Sequence, residues 1–173
     1  MHDLLQGAAD AIEAATGHLT VEQIDRPVPG AWSIGEILEH LTLSFSACAI
    51  GLEKAAASGN PKAGRRTLVR RLWRVLVVDL GYFPRARAAE AVMPRRSVSA
   101  ENSRQAIHDA LVRLDAALAR AAERFGDQTP LLKHPYFGGL TVPQWRRFHW
   151  RHAVHHMRQV RRRSTAPLTN RPA

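Results

Sequence analysis

Four stretches of this chain place apolar residues at three- and four-residue intervals, and that period suits helices that each bury one face. The first runs from about Asp3 to Thr16, with Leu4, Leu5, Ala8, Ile12 and Ala15 on the stripe. The second opens at Ser33 and carries Ile34, Ile37, Leu41, Phe45, Cys48 and Leu52 to about Ala57, where Ser58-Gly-Asn-Pro61 stops it. The third begins near Ala100, and its Ile107, Leu111, Leu114, Leu118 and Phe125 approximate a heptad seam ended by Gly126. The fourth spans about Val142 to Arg162. Two of the four starts are written as capping boxes, Ser33-Ile-Gly-Glu36 and Thr141-Val-Pro-Gln144, in which each side chain bonds the other residue's backbone N–H. Pro143 is tolerated because it falls in the first turn.

The segments between are less regular. Gly17 to Trp32, with Pro27, Pro29 and Gly30, reads as a connector. Thr67 to Leu80 has the pattern of a third, shorter helix, and Gly81 to Val98 carries Pro84 and Pro94. Together these two form a long, partly irregular crossover. The expected architecture is all-α: a four-helix bundle with a long crossover between the second and the last two main helices. At 173 residues one domain over 1–163 suffices, with a disordered tail over 164–173. Aromatic residues at 6% and abundant Ala, Leu and Arg agree with a helical chain.

Charge and cysteine usage narrow the classes. The net charge of +10 owes much to Arg65, Arg66, Arg70, Arg71 and Arg74, and to Arg158, Arg161, Arg162 and Arg163. Such a surface attracts acidic partners, but no recognition helix, aromatic RNA platform or zinc-finger spacing accompanies it, so specific nucleic-acid binding is not expected. The single cysteine, Cys48, excludes an intramolecular disulfide and a multi-cysteine metal site. Its place on an apolar stripe predicts a buried, inert thiol in a reduced, cytoplasmic setting. The most apolar segment, Leu72 to Phe83, is interrupted by Arg74 and Asp79 and falls short of the roughly 20 residues a membrane span needs. No signal-peptide pattern opens the chain.

The chemistry concentrates in the last helix. Placed on a wheel at about 100° per residue, Trp145, Phe148, His149, His152, His156 and Gln159 share the face that must meet the other helices. Residues His152 and His156, four apart, stand one above the other, so two imidazoles can close on one metal ion. His155 lies about 60° off the stripe. The obvious third ligand is His40, on a polar shoulder of the second helix with Ser33, Glu36 and Ser44. Three imidazoles would leave positions open to water or substrate, as catalytic rather than structural sites do. A His-x-x-x-His pair by itself is more often two histidines sharing a surface than two ligands. Two roles stay open for His149, a proton-handling neighbour of the metal or an ordinary hydrogen-bonded core histidine. Glu36 reads as a capping residue before a general base, Gln159 as a group to orient a ligand imidazole or cap a loop, and His134 as a loop residue at a pocket mouth.

Two motifs have a family likeness. Pro29-Gly-Ala-Trp-Ser-Ile-Gly-Glu-Ile-Leu-Glu-His40-Leu resembles the Pro-x-x-Trp-Ser opening, with its later His-Leu, of the DinB/YfiT-like metalloenzyme superfamily. His152-Ala-Val-His-His156-Met-Arg-Gln159 resembles that superfamily's closing His-x-x-x-His-x-x-Gln helix. The likeness extends over about residues 3 to 163, with His-Pro-Tyr-Phe-Gly and Thr-x-x-x-Trp segments resembling a less characterised branch. It implies a bundle that binds a divalent metal, nickel or zinc, through His40, His152 and His156, and three imidazoles suit either metal. It also implies a homodimer.

Better understood members of that superfamily use a low-molecular-weight thiol in S-transfer or isomerisation. The expectation is therefore a thiol S-transferase acting on a small-molecule substrate, with Glu36 or His149 handling protons. The alternatives are a metal-dependent hydrolase using the same ligands to activate water, and a non-catalytic metal-binding or stress-response protein.

Overall fold

The computed structural model describes residues 1–64, 67–84, 88–95 and 99–165. Its frame is four long helices, α1 (Asp3–Thr16), α3 (Ile34–Ser58), α5 (Ala100–Phe125) and α6 (Val142–Ser164). Helix α3 packs along α5 and helix α1 along α6, while α3 also meets α6. The α3–α5 seam buries Leu38, Leu52, Leu111, Leu114 and Leu118 almost completely. Each such leucine is worth roughly 1.5–3 kcal/mol over leaving it in water, so this seam is a principal source of cohesion. Cys48 is buried, as its stripe predicted, and burial pushes its thiol pKa up.

Both capping boxes form. The Ser33 N–H donates to Glu36 Oε2 at 2.7 Å, and the Glu36 N–H donates to Ser33 Oγ at 3.1 Å. At α6 the Thr141 N–H donates to Gln144 Oε1 at 3.1 Å. These caps satisfy N–H groups that a helix start leaves unpaired, and so set where the register of each histidine-bearing helix begins. Helix α3 ends where Gly59 enters the left-handed region at φ 65°, which suits a residue without a side chain.

The structure adds detail to the expected frame in three regions, and the short helix expected within Thr67 to Leu80 forms as α4 (Leu68–Arg74). Gly17–Trp32 is not wholly irregular: α2 (Val21–Asp25) forms within it, capped by Thr20 and Gln23 and seated by buried Ile24. Five residues are too few for a periodic apolar stripe. The crossover contains α4 (Leu68–Arg74), followed by a wider π-helical stretch, Val75–Asp79, and a 3₁₀ turn, Glu90–Val92. It is fastened to α6 by Arg147, whose Nη1 lies 3.1 Å from Asp79 Oδ1, and by Arg151, whose Nη2 donates to the Asp79 carbonyl at 3.1 Å.

Between α5 and α6 lies a two-stranded antiparallel hairpin, β1 (Leu131–His134) and β2 (Gly138–Leu140), where no strand was expected. Leu131 pairs with Leu140 and His134 with Gly138, with an irregularity between them. Within it Leu132 adopts φ 56°, unusual for a non-glycine residue. A Cβ on Gly51 of α3 would stand 3.0 Å from Leu132 Cδ1, so that glycine leaves room for the bulge. Strands of three and four residues are too short to show alternation in the sequence. Ser164, the expected start of a disordered tail, is the last residue of α6; residues 166–173 lie outside the described residues. No helix among the described residues is long and apolar enough to cross a membrane.

Candidate metal centre

His40 comes from the second turn of α3, His152 and His156 from the middle of α6. All three are buried, and one ligand nitrogen from each lies within 4.8 Å of the others. The His152 Nε2 stands 3.3 Å from His40 Nε2 and 3.1 Å from His156 Nε2. Nitrogens on a tetrahedral ion with metal–nitrogen bonds of about 2.0–2.1 Å are separated by about 3.3–3.4 Å. Two of the three separations thus suit a shared metal.

The outward nitrogens explain why these three face inward. His40 Nδ1 lies 2.8 Å from the Val92 carbonyl oxygen. A carbonyl only accepts, so Nδ1 carries the proton and Nε2 keeps a lone pair. His156 Nδ1 likewise donates to Gln159 Oε1 at 3.1 Å, and the Gln159 amide nitrogen donates to His155 Nε2 at 3.0 Å. Gln159 therefore orients one clustered imidazole and ties it to a neighbour. His152 is held differently: its ring is stacked between Phe83 and Phe148, centroids 5.8 and 5.4 Å away, and its Nδ1 has no hydrogen-bond partner. Trp32 flanks the cluster, 4.9 Å from the His40 ring and 6.4 Å from that of His156.

Two lone pairs are thus fixed toward His152 Nε2, which has one proton at most to offer them. A cation answers all three nitrogens at once, so the donor set fits a divalent metal, and neutral imidazoles are the form that binds one. Burial keeps them in that form. It holds His152 well below its ordinary pKa and, with the nearby His40 and His155, lowers His156 to about 3. His40 is also lowered by burial, against the Val92 hydrogen bond.

The cluster opens onto a cavity of about 1600 Å³. Its walls include aromatic side chains from elements far apart in the chain, Trp32, Trp73, Phe83, Phe137, Trp145 and Phe148 among them. His149 also lines it, stacked on Trp145 with centroids 5.6 Å apart and edge-on to Phe45. Neither of its ring nitrogens has a hydrogen-bond partner, and burial lowers its pKa to about 3. His134 lies on the hairpin, stacked on Phe137 at 4.1 Å, and burial lowers it to about 4. Glu36 stays in the capping box and is not among the residues that line the cavity.

The sequence brought the three clustered histidines into view. It did not point to Phe83, to the Val92 carbonyl that fixes the His40 tautomer, or to Trp32 as a wall of the site. Phe83 and Val92 belong to the later part of the crossover, from Gly81 on, whose sequence has no regular period to read. Trp32 did stand in a motif, one residue before the α3 cap, and that position was the available signal.

Fold and site together define a helical bundle with a buried three-histidine cluster able to hold a metal ion. The model of one family, described as a protein of unknown function (DUF1569), matches residues 2–163, and the chain belongs to that family. No curated protein and no solved structure matches. The cluster is consistent with the metal site of the DinB/YfiT-like proteins.

Proposed function

We propose that this protein is a divalent-metal-dependent enzyme in which His40, His152 and His156 hold the metal, and that it transfers a low-molecular-weight thiol to a small-molecule substrate. The observation that carries this reading is the convergence of three neutral imidazole nitrogens on the wall of a large open cavity. A bound divalent ion supplies the chemistry: it lowers the pKa of a coordinated thiol and so provides a nucleophile at neutral pH. Thiol transfer is favoured over hydrolysis by the size of the cavity. At about 1600 Å³ it exceeds the roughly 300–1,000 Å³ of ordinary ligand pockets, enough for a thiol and a second substrate together. The resemblance to the DinB/YfiT-like superfamily, with nickel or zinc as the metal and a homodimer as the assembly, agrees with this reading.

The chain's own residues have separable tasks. Val92 and Gln159 hold the tautomers of His40 and His156. The aromatic side chains beside the cluster offer apolar surface to the body of a substrate. His149, neutral and lining the cavity, offers a donor and an acceptor nitrogen and is the group we assign to proton handling. Glu36 caps α3 and thereby positions His40 one turn further on.

The test begins with elemental analysis of untagged protein beside the His40→Ala variant. Near-stoichiometric nickel or zinc in the wild type, lost in the variant, is the expected result. Turnover of electrophilic substrates is then assayed with and without added thiol. Turnover that needs the thiol supports S-transfer, and turnover in its absence makes the protein a hydrolase. A wild type that neither carries nor takes up metal would end the metal-enzyme reading.

A further inference from the structure

The charge of the cavity is one-sided. Its charged lining among the described residues is Arg26, Lys133, Arg162 and Arg163, and no carboxylate is among them. Two of the arginines belong to the last turn of α6, about 9–11 Å along the helix from His156 at about 1.5 Å per residue. Arg26 caps α2 and leads into the connector that carries Trp32. Arg163 lies within electrostatic reach of Glu36, near the start of α3 just beyond Trp32, which puts it on the Trp32 side of the cluster, the side to which the connector from Arg26 leads. In the other direction along α6 the walls turn aromatic, with Phe148 and Trp145 joined by Phe137 and Trp73. Lys133 stands apart on the hairpin, its stem against Gly64.

Cations at a helix C-terminus suit the helix dipole wherever they point. Arg163 does more than that. It is half-buried and lines the cavity, and its Nη1 is shielded from solvent without a hydrogen-bond partner. A guanidinium in that state has donor capacity to spare, and its planar fork matches a carboxylate or phosphate.

We propose that the cavity takes a small amphiphilic anion, a carboxylate with an aromatic or acyl body. Arg162, Arg163 and Arg26 receive the anionic group, and the aromatic walls receive the body beside the three histidines. This deepens the substrate side of the function proposed above and rests on the cavity being the substrate site. It does not depend on the identity of the metal or on turnover.

The test uses three probes with one shared body, phenylbutyrate, phenylbutanol and phenylbutylamine, titrated calorimetrically into the full-length protein before and after metal removal with a chelator. The expected result is that the carboxylate binds at least about tenfold more tightly than the alcohol, and that the amine binds most weakly. The preference should survive chelation, because the arginines and not the metal hold the anion. It should fall to about twofold or less in the Arg162→Gln/Arg163→Gln double variant, with alcohol affinity unchanged. Arg26→Gln, at a distant point in the chain, gives an independent reading should the double variant misfold. Equal affinities for acid and alcohol, or no binding of either, overturn the proposal. So does a preference that vanishes with the metal, or one that persists in all arginine variants. None of these outcomes alters the metal content, so failure here is distinguishable from failure of the metal-enzyme reading.

Discussion

Helices α5 and α6 are of similar length, 26 and 23 residues, yet they bury very different things. The inward face of α5 is Ile107, Leu111, Leu114 and Leu118, closed against α3. Helix α6 buries apolar Val142, Ala153, Met157 and Val160 too, but Trp145, Phe148, His149, His152 and His156 line a cavity. On α5 nearly all of the buried face drives folding through the hydrophobic effect. On α6 three imidazoles are taken out of water, and both nitrogens of His149 and the Nδ1 of His152 have no hydrogen-bond partner, which costs stability. The contrast separates a helix whose buried face is nearly all hydrophobic from one that also carries the candidate metal ligands.

The largest effect expected from that contrast lies on the α5 side. Leu114→Ala should destabilise the protein by about 2–5 kcal/mol in urea denaturation, while metal stoichiometry stays unchanged. A matching loss of metal would show that the two helices are not independent.

Acid should act on the opposite side. His149 and His134 have folded-state pKa values lowered to about 3 and about 4, against 6.5 for a free histidine. The unfolded chain then takes up protons that the folded chain refuses, so stability is complete above about pH 6.5 and declines as pH falls toward the folded values. Each histidine contributes a slope of up to about 1.4 kcal/mol per pH unit. Denaturation of chelator-treated protein at a series of pH values should show this loss between about pH 6.5 and 4. A flat profile across that range would mean that these rings are solvated.

A smaller effect is expected at Gln159, which touches the cluster only through His156. Gln159→Leu should weaken metal affinity by about 10–100-fold without abolishing it, as measured by competition with a chromophoric chelator. No change would leave the His156 orientation to packing alone.

The smallest effect is expected at His149. His149→Phe removes two buried unpartnered nitrogens and keeps the ring stacked on Trp145, so stability should rise by about 1 kcal/mol. Turnover, once an assay exists, should fall. If stability falls instead, His149 is a satisfied core residue and α6 resembles α5 more closely than the comparison allows.

How legible these features were depended on length and locality. The four main helices could be read because each holds its apolar stripe for several turns, with caps written in Ser33, Glu36, Thr141 and Gln144. The three clustered histidines could be read because one pair is set by helix geometry and the third stands in a recognisable motif. The hairpin at 131–140 and helix α2 could not, because segments of three to five residues carry too few side chains to establish a period. Of the crossover, only the short helix α4 had a helical pattern in the sequence. The hold of the crossover on α6 through Arg147 depends on a contact between residues 68 positions apart.

By itself, the sequence determined the four main helices, roughly where they begin and end, and the inward face of each, because propensity, capping and period are properties of neighbouring residues. It also determined that three imidazoles were at hand for a metal. Only the tertiary structure decided that their Nε2 atoms meet, through a carbonyl at Val92 and an amide at Gln159 that set the tautomers. It likewise decided that the crossover and hairpin wall a large aromatic cavity beside them and that its charge is one-sided. Those outcomes depend on surfaces brought together from distant parts of the chain, and a local pattern does not encode which surfaces will touch.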